Sequence, residues 1–120
     1  LDRPDVYKAA VSGAPVTNWL YYDTHYTERY LGVPTTDAAA YDEGNLVRRA
    51  PQLSRPLLLI HGIADDNVYL AHSLLLTEAL FAAGKPFEFL PLVNSTHQLA
   101  DPEMRMVLYT KIARFFQEHL

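Results

Sequence analysis

The chain has no cysteine. That excludes disulfides and thiolate metal sites. No apolar run approaches the ~20 residues that a membrane-spanning helix requires. Positive charge is scarce: 10 Lys and Arg stand against 14 Asp and Glu, for a net charge of −4. A nucleic-acid surface would be basic, so none is expected. The first residues carry no signal-peptide pattern, and the sequence leaves localisation open. Serine is scarce too. Ser12, Ser54, Ser73 and Ser95 all lie outside any G-x-S-x-G arrangement, the turn that exposes a nucleophilic hydroxyl in many hydrolases.

What is present is a core and an alternating pattern. Apolar residues make up 49% of the 120 residues, enough for one compact domain. Val6 to Ser12 reads as a short buried strand stopped by Gly13 and Pro15. Trp19, Tyr22, Tyr26 and Tyr30 fall at helical spacing between Asn18 and Leu31, ahead of Gly32 and Pro34. Thr35 to Arg55 is polar and punctuated by Gly44 and Pro51, a loop with one short helix. The run from Pro56 to His61 is continuously apolar, as a strand buried on both faces requires. Tyr69 to Ala83 reads as a helix with Leu70, Leu74, Leu75 and Leu80 inward, closed by Gly84. Phe87 to Val93 is the next strand. Asp101 and Pro102 then open a last helix, with Met104, Val107, Leu108, Ile112 and Phe115 as its inner face. Strand and helix alternating across short turns predict an α/β fold, parallel strands with crossover helices. Functional loops then belong at the carboxyl ends of the strands.

Chemistry concentrates after the second apolar run, in His61-Gly62-Ile63-Ala64-Asp65-Asp66-Asn67-Val68, with His97 beyond the following strand. A carboxylate on a rigid turn and a histidine from a neighbouring strand end are the acid and base of a Ser…Asp…His hydrolase. Asp65 and Asp66 leave the turn in different directions, and Asp66 is better placed to cap or precede the next helix. The same residues also fit a blander account, in which both acids start a helix and His97 is a surface histidine. A metal site from His61, Asp65, Asp66 and His97 lacks the helical His pair such sites favour, so no metal and no cofactor are expected. His61 beside Gly62 reads as a packed, hydrogen-bonded histidine, whereas His25, His72 and His119 have no acid–base pattern around them. The aromatic stripe fits a core face or, because tyrosine hydroxyls need polar partners, a pocket wall.

The stretch Ala14 to Pro34 (APVTNWLYYDTHYTERYLGVP) and the stretch His61 to Val68 (HGIADDNV) together resemble the prolyl oligopeptidase family of serine peptidases, dipeptidyl peptidase IV branch. The resemblance covers nearly the whole chain. It implies the C-terminal portion of an α/β-hydrolase fold, a partial catalytic domain over residues 1–120. The family's nucleophile elbow of G-W-S-Y-G-G type and its β-propeller are both outside these residues. That expectation agrees with a chain that begins at Leu rather than Met. By the resemblance Asp65 is the triad acid and His97 the base. Asn67 offers its amide to the substrate carbonyl, and Trp19, Tyr22, Tyr26, Val16 and Val68 wall a pocket for proline or alanine. The implied activity is hydrolysis of peptide bonds after those residues, with a peptide as partner, and the 120 residues alone inactive. Other outcomes compatible with the residues are an esterase piece or a non-catalytic interaction fragment. Gln98 stands where the family usually has Gly, and Asn94-Ser95-Thr96 differs from its usual turn. Tyr69-Leu70 replaces the His-Phe of eukaryotic members, which implies a bacterial relative. The glutamates that hold a substrate's amino group belong to the propeller, so dipeptidyl and endopeptidase modes stay open. Association between copies is expected through an exposed sheet edge at Ala9 to Val11 or through the C-terminal helix with Phe115 and Phe116.

Overall fold

The computed structural model describes residues 2–120. Three strands, β1 (Ala10–Gly13), β2 (Leu57–Gly62) and β3 (Phe87–Leu92), form one parallel sheet in the order β1-β2-β3. Leu58 of β2 faces Val11 on one side and Glu88 on the other. The helices are α1 (Thr24–Leu31), α2 (Ala38–Glu43), α3 (Leu46–Arg49), α4 (Ala71–Ala82) and α5 (Pro102–His119). Strands and helices alternate as an α/β fold of parallel strands with crossover helices requires.

Side-chain alternation along β2 explains the layering. Leu59 and its partner Leu57 meet Leu76 and Leu80 of α4, with Ala50 and Leu53 completing that core. Leu58 and Ile60 point the other way, onto Phe115 of α5. With helices on both faces, the strand has to be apolar throughout, which is how it reads in the sequence.

Several element bounds differ from expectation. The first strand is shorter, because Val6 and Tyr7 lie exposed in a turn region instead of pairing. The segment Thr35 to Arg55 holds two short helices, α2 and α3, and a 3-10 turn over Ala50–Gln52, rather than one helix. The aromatic segment is not one helix: a 3-10 turn over Trp19–Tyr21 is followed by a break, and α1 begins anew at Thr24. The break is chemical, since Asn18 and Asp23 each cap a separate start, accepting from the N–H groups of Leu20 and Tyr26.

The inward faces of α4 and α5 also differ. On α4 the buried residues are His72, Ser73, Leu76 and Leu80, while Leu74 is exposed. That helix is apolar nearly all round, so its periodicity had no preferred face. On α5 Met104 and Val107 are exposed, and only Phe115 is fully buried, flanked by Leu108, Ile112 and Phe116. Its start is as expected: Asp101 accepts from the N–H groups of Glu103 and Met104, with Pro102 in the first turn.

Candidate active site

Three loops leave the carboxyl ends of the three parallel strands side by side. The chain runs through Val16 to Tyr22 after β1, through Ile63 to Val68 after β2, and through Val93 to His97 after β3. Topology alone therefore gathers the residues singled out in the sequence.

The second and third loops are locked together at the backbone. Ile63 N–H donates to Leu92 C=O and Ala64 N–H donates to Ser95 C=O, each at 3.0 Å. The contact needs Gly62, because a Cβ there would collide with the carbonyl oxygens of Ser95 and Thr96. The third loop turns on Asn94, whose φ of 60° lies in the left-handed region that Asn tolerates better than most residues.

Asp65 sits at the centre, 5% exposed. Its Oδ2 accepts from His97 Nδ1–H at 2.9 Å. Its Oδ1 accepts from the N–H groups of Asn67 at 3.0 Å and Val68 at 2.9 Å. Burial pushes the carboxyl pKa up. The His97 bond and the two N–H groups outweigh it, and the carboxyl is held below its usual range. A carboxylate can only accept, so His97 donates from Nδ1, and in the neutral ring that leaves Nε2 as the acceptor. The His97 side chain remains 38% exposed.

Asp66 is exposed and lies outside this arrangement. It does not cap the next helix. Leu70 occupies that position without a side-chain bond, and Asp65 itself ties the turn through Oδ1. The reason is that α4 starts at Ala71, too far along for an Asp66 side chain to reach its first free N–H groups.

The aromatic residues form a connected cluster. Trp19 stacks on Tyr26 at 6.1 Å and meets Tyr22 edge-on at 5.8 Å. Tyr22 donates its hydroxyl to Asn67 Oδ1 at 2.9 Å, which ties the cluster to the acid loop and leaves the Asn67 Nδ2–H groups available. Tyr26 and Tyr30 are exposed, so the stripe is not a core face. A cleft of about 180 Å³ opens on the far side of the cluster, lined by Trp19, Tyr26, Thr27, Tyr30 and Leu31, and does not reach His97. A larger cleft of about 450 Å³ lies away from the site, between Glu88 and α5. Val68 is buried behind Asp65, and Val16 is half-buried at the start of the aromatic segment.

His61 is a packed histidine with both ring nitrogens engaged. Nε2 lies 2.7 Å from the Val68 carbonyl and 3.4 Å from Asp65 Oδ2, and Nδ1 lies 2.7 Å from Ser73 Oγ. No ring nitrogen is left to ligate a metal. Sequence reasoning passed over His72, Ser73 and Thr17, all buried beside these loops. The signal from His72 and Ser73 was a polar pair at the start of a helix whose other polar residues are Thr77 and Glu78, and Thr17 gave none.

Against known proteins, the prolyl oligopeptidase family model matches residues 1–120. The chain belongs to that family. Dipeptidyl peptidase 8 of Mus musculus is 37% identical over 123 residues, a match that takes in 100% of this chain and 14% of the relative. A solved chain from Bacteroides ovatus aligns with a TM-score of 0.95 at 34% identity, covering 100% of this chain and 17% of its own. The solved Porphyromonas gingivalis dipeptidyl peptidase 4 aligns with a TM-score of 0.91 at 38% identity, covering 95% and 16% respectively. The chain thus spans about one seventh of the length of the curated relative it matches. No helix among the described residues is long and apolar enough to cross a membrane.

Proposed function

We propose that these residues supply the acid and base of a serine peptidase that hydrolyses peptide bonds after proline or alanine, with the nucleophilic serine contributed from outside the 120 residues. The observation that carries this reading is the Asp65–His97 hydrogen bond at 2.9 Å, made at the carboxyl ends of adjacent parallel strands. Names of relatives point the same way, since dipeptidyl peptidases are among them.

In this reading His97 Nε2 removes the serine hydroxyl proton as oxygen attacks the substrate carbonyl. Asp65 stays ionised, holds the imidazole in the Nδ1–H tautomer and stabilises the imidazolium that forms. His97 then passes its proton to the departing amine. Water repeats the cycle on the acyl-enzyme, with His97 again as base and then as acid. The lowered Asp65 pKa suits this role, because the acid has to remain a carboxylate. Asn67, with Oδ1 taken by Tyr22, offers Nδ2–H to a substrate carbonyl. Flat rings at Trp19, Tyr22 and Tyr26, with Val16 and Val68, suit a pyrrolidine or a methyl side chain.

The test is hydrolysis of Gly-Pro and Ala-Pro nitroanilides by the full-length protein that carries this chain, against short-chain esters. Preference for the prolyl amides, abolished by His97→Ala, is the expected result. Turnover of esters alone identifies a different hydrolase, and no turnover of either identifies a non-catalytic relative. The isolated 120 residues are expected to show no turnover above buffer.

A further inference from the structure

His72 and Ser73 are consecutive on the first turn of α4, and both are buried, at 2% and 0% exposure. Two polar side chains side by side in a core are costly unless bonded; Ser73 Oγ and His72 Nδ1 have partners, whereas His72 Nε2 is buried without one among the described residues. Their bonds run in different directions. Thr17 N–H donates to His72 Nδ1 at 3.2 Å, and Thr17 Oγ1 donates back to the His72 carbonyl at 2.8 Å. Ser73 Oγ meets His61 Nδ1 at 2.7 Å, and His61 Nε2 meets the Val68 carbonyl at 2.7 Å. A carbonyl only accepts, so neutral His61 holds its proton on Nε2, and Ser73 donates to Nδ1.

Each chain of bonds ends on a different half of the site. Thr17 lies two residues before Trp19. Val68 donates its own N–H to Asp65 Oδ1 at 2.9 Å. We propose that His72 and Ser73 are positioning residues that hold the two halves in register: His72 fixes the aromatic segment through Thr17, and Ser73 fixes the acid loop through His61. The kinetic consequences rest on the peptidase reading above; the mechanical ones do not.

The experiment uses the full-length protein and two paired substitutions, read by steady-state kinetics and by amide hydrogen exchange. His72→Leu removes the acceptor for Thr17. It is expected to raise KM for an Ala-Pro amide about tenfold, the usual scale for stranding a buried donor, with kcat little changed. His72→Asn keeps an acceptor near Nδ1 and is expected to restore most of the loss. Ser73→Ala is expected to lower kcat instead and to move the acid limb of the kcat/KM profile to lower pH, since a loosened Asp65 supports the His97 imidazolium less. Ser73→Thr keeps the hydroxyl and is expected to recover the profile. In exchange, His72→Leu should expose the Thr17 amide and spare Asn67 and Val68, and Ser73→Ala should do the reverse. That readout stands even if the protein proves not to be a peptidase. If His72→Leu does not fold, Thr17→Val makes a milder cut in the same clasp with the same KM expectation. The proposal is overturned if the two variants loosen the same amides, if neither loosens any, or if both change KM and kcat alike.

Discussion

The two halves of the site are built on different physics. Around Asp65 the contacts are short and directional: one buried carboxylate with three partners, a glycine pressed under the neighbouring loop, and two loops bonded through their backbones. Around Trp19 the rings meet stacked, edge-on or tilted, with Tyr26 and Tyr30 open to solvent and one hydroxyl bond from Tyr22 reaching the acid loop. In the proposed peptidase the acid half has to hold a proton-transfer geometry within a fraction of an ångström. The aromatic half has only to present a flat apolar wall, and stacking tolerates small displacement. A change in the first half should therefore strike kcat, and a change in the second should strike KM.

Four measurements on the full-length protein test that contrast. The largest effect is expected for Asp65→Asn, which keeps the shape but favours the wrong His97 tautomer. A fall in kcat of about 10⁴-fold with KM little altered is expected, with Asp66→Asn as the silent control because Asp66 is exposed and outside the arrangement. Next comes Gly62→Ala. Its methyl displaces the Ser95–Thr96 backbone and with it His97, and a shift of that order costs about 10²-fold in kcat. Equal rates for Gly62→Ala and wild type would show that the loop packing is not what aims His97. Tyr22→Phe removes the bond to Asn67. A rise in KM of about three- to tenfold is expected, and an equal fall in kcat would erase the proposed division of labour.

The smallest effect is on stability against pH, read as the urea midpoint. Burial is the main cause that pushes the His72 pKa below its ordinary value, helped by the nearby His61 and opposed by the Tyr21 backbone. Unfolded His72 takes up a proton near pH 6.5 while folded His72 resists it. Stability should therefore begin to fall as pH drops below about 6.5, and the slope should flatten in His72→Asn. Asp65 works in a lower window. Its folded pKa is depressed, so its contribution is present above the unfolded value of about 3.9 and is lost as pH falls through the folded one. The clasp on the aromatic segment should thus weaken at a higher pH than the acid loop.

How much of this was legible beforehand follows from the kind of signal each part leaves. The Leu57–Gly62 strand announces itself because a strand covered on both faces shows a continuous apolar run, here Leu57 to Ile60, before the buried and hydrogen-bonded His61. Asp65 and His97 were legible as a pair because strand-end loops in a parallel sheet are neighbours whatever lies between them. Capping chemistry at Asp101 is local, so it too could be read directly. The inward face of α4 could not. Leu70, Leu74 and Leu75 look like core, yet His72 and Ser73 take the interior because their bonding partners, Thr17 and His61, arrive there from elsewhere in the chain. The aromatic spacing was likewise misleading about a single helix, since the caps at Asn18 and Asp23 divide it.

The sequence by itself determined the order of strands and helices, the parallel sheet, and the aspartate and histidine that its neighbouring strand-end loops would carry. Those follow from periodicity, turn chemistry and chain direction, all of which act over a few residues. Only the tertiary structure showed the acid expected from the resemblance, Asp65, meeting His97 at 2.9 Å, why Gly62 can have no side chain, and that a histidine without any local pattern clasps Thr17 beside the aromatic segment. Each of those depends on atoms far apart in the chain meeting in a dry interior, where an unpaired polar group is costly and a misplaced methyl has nowhere to go.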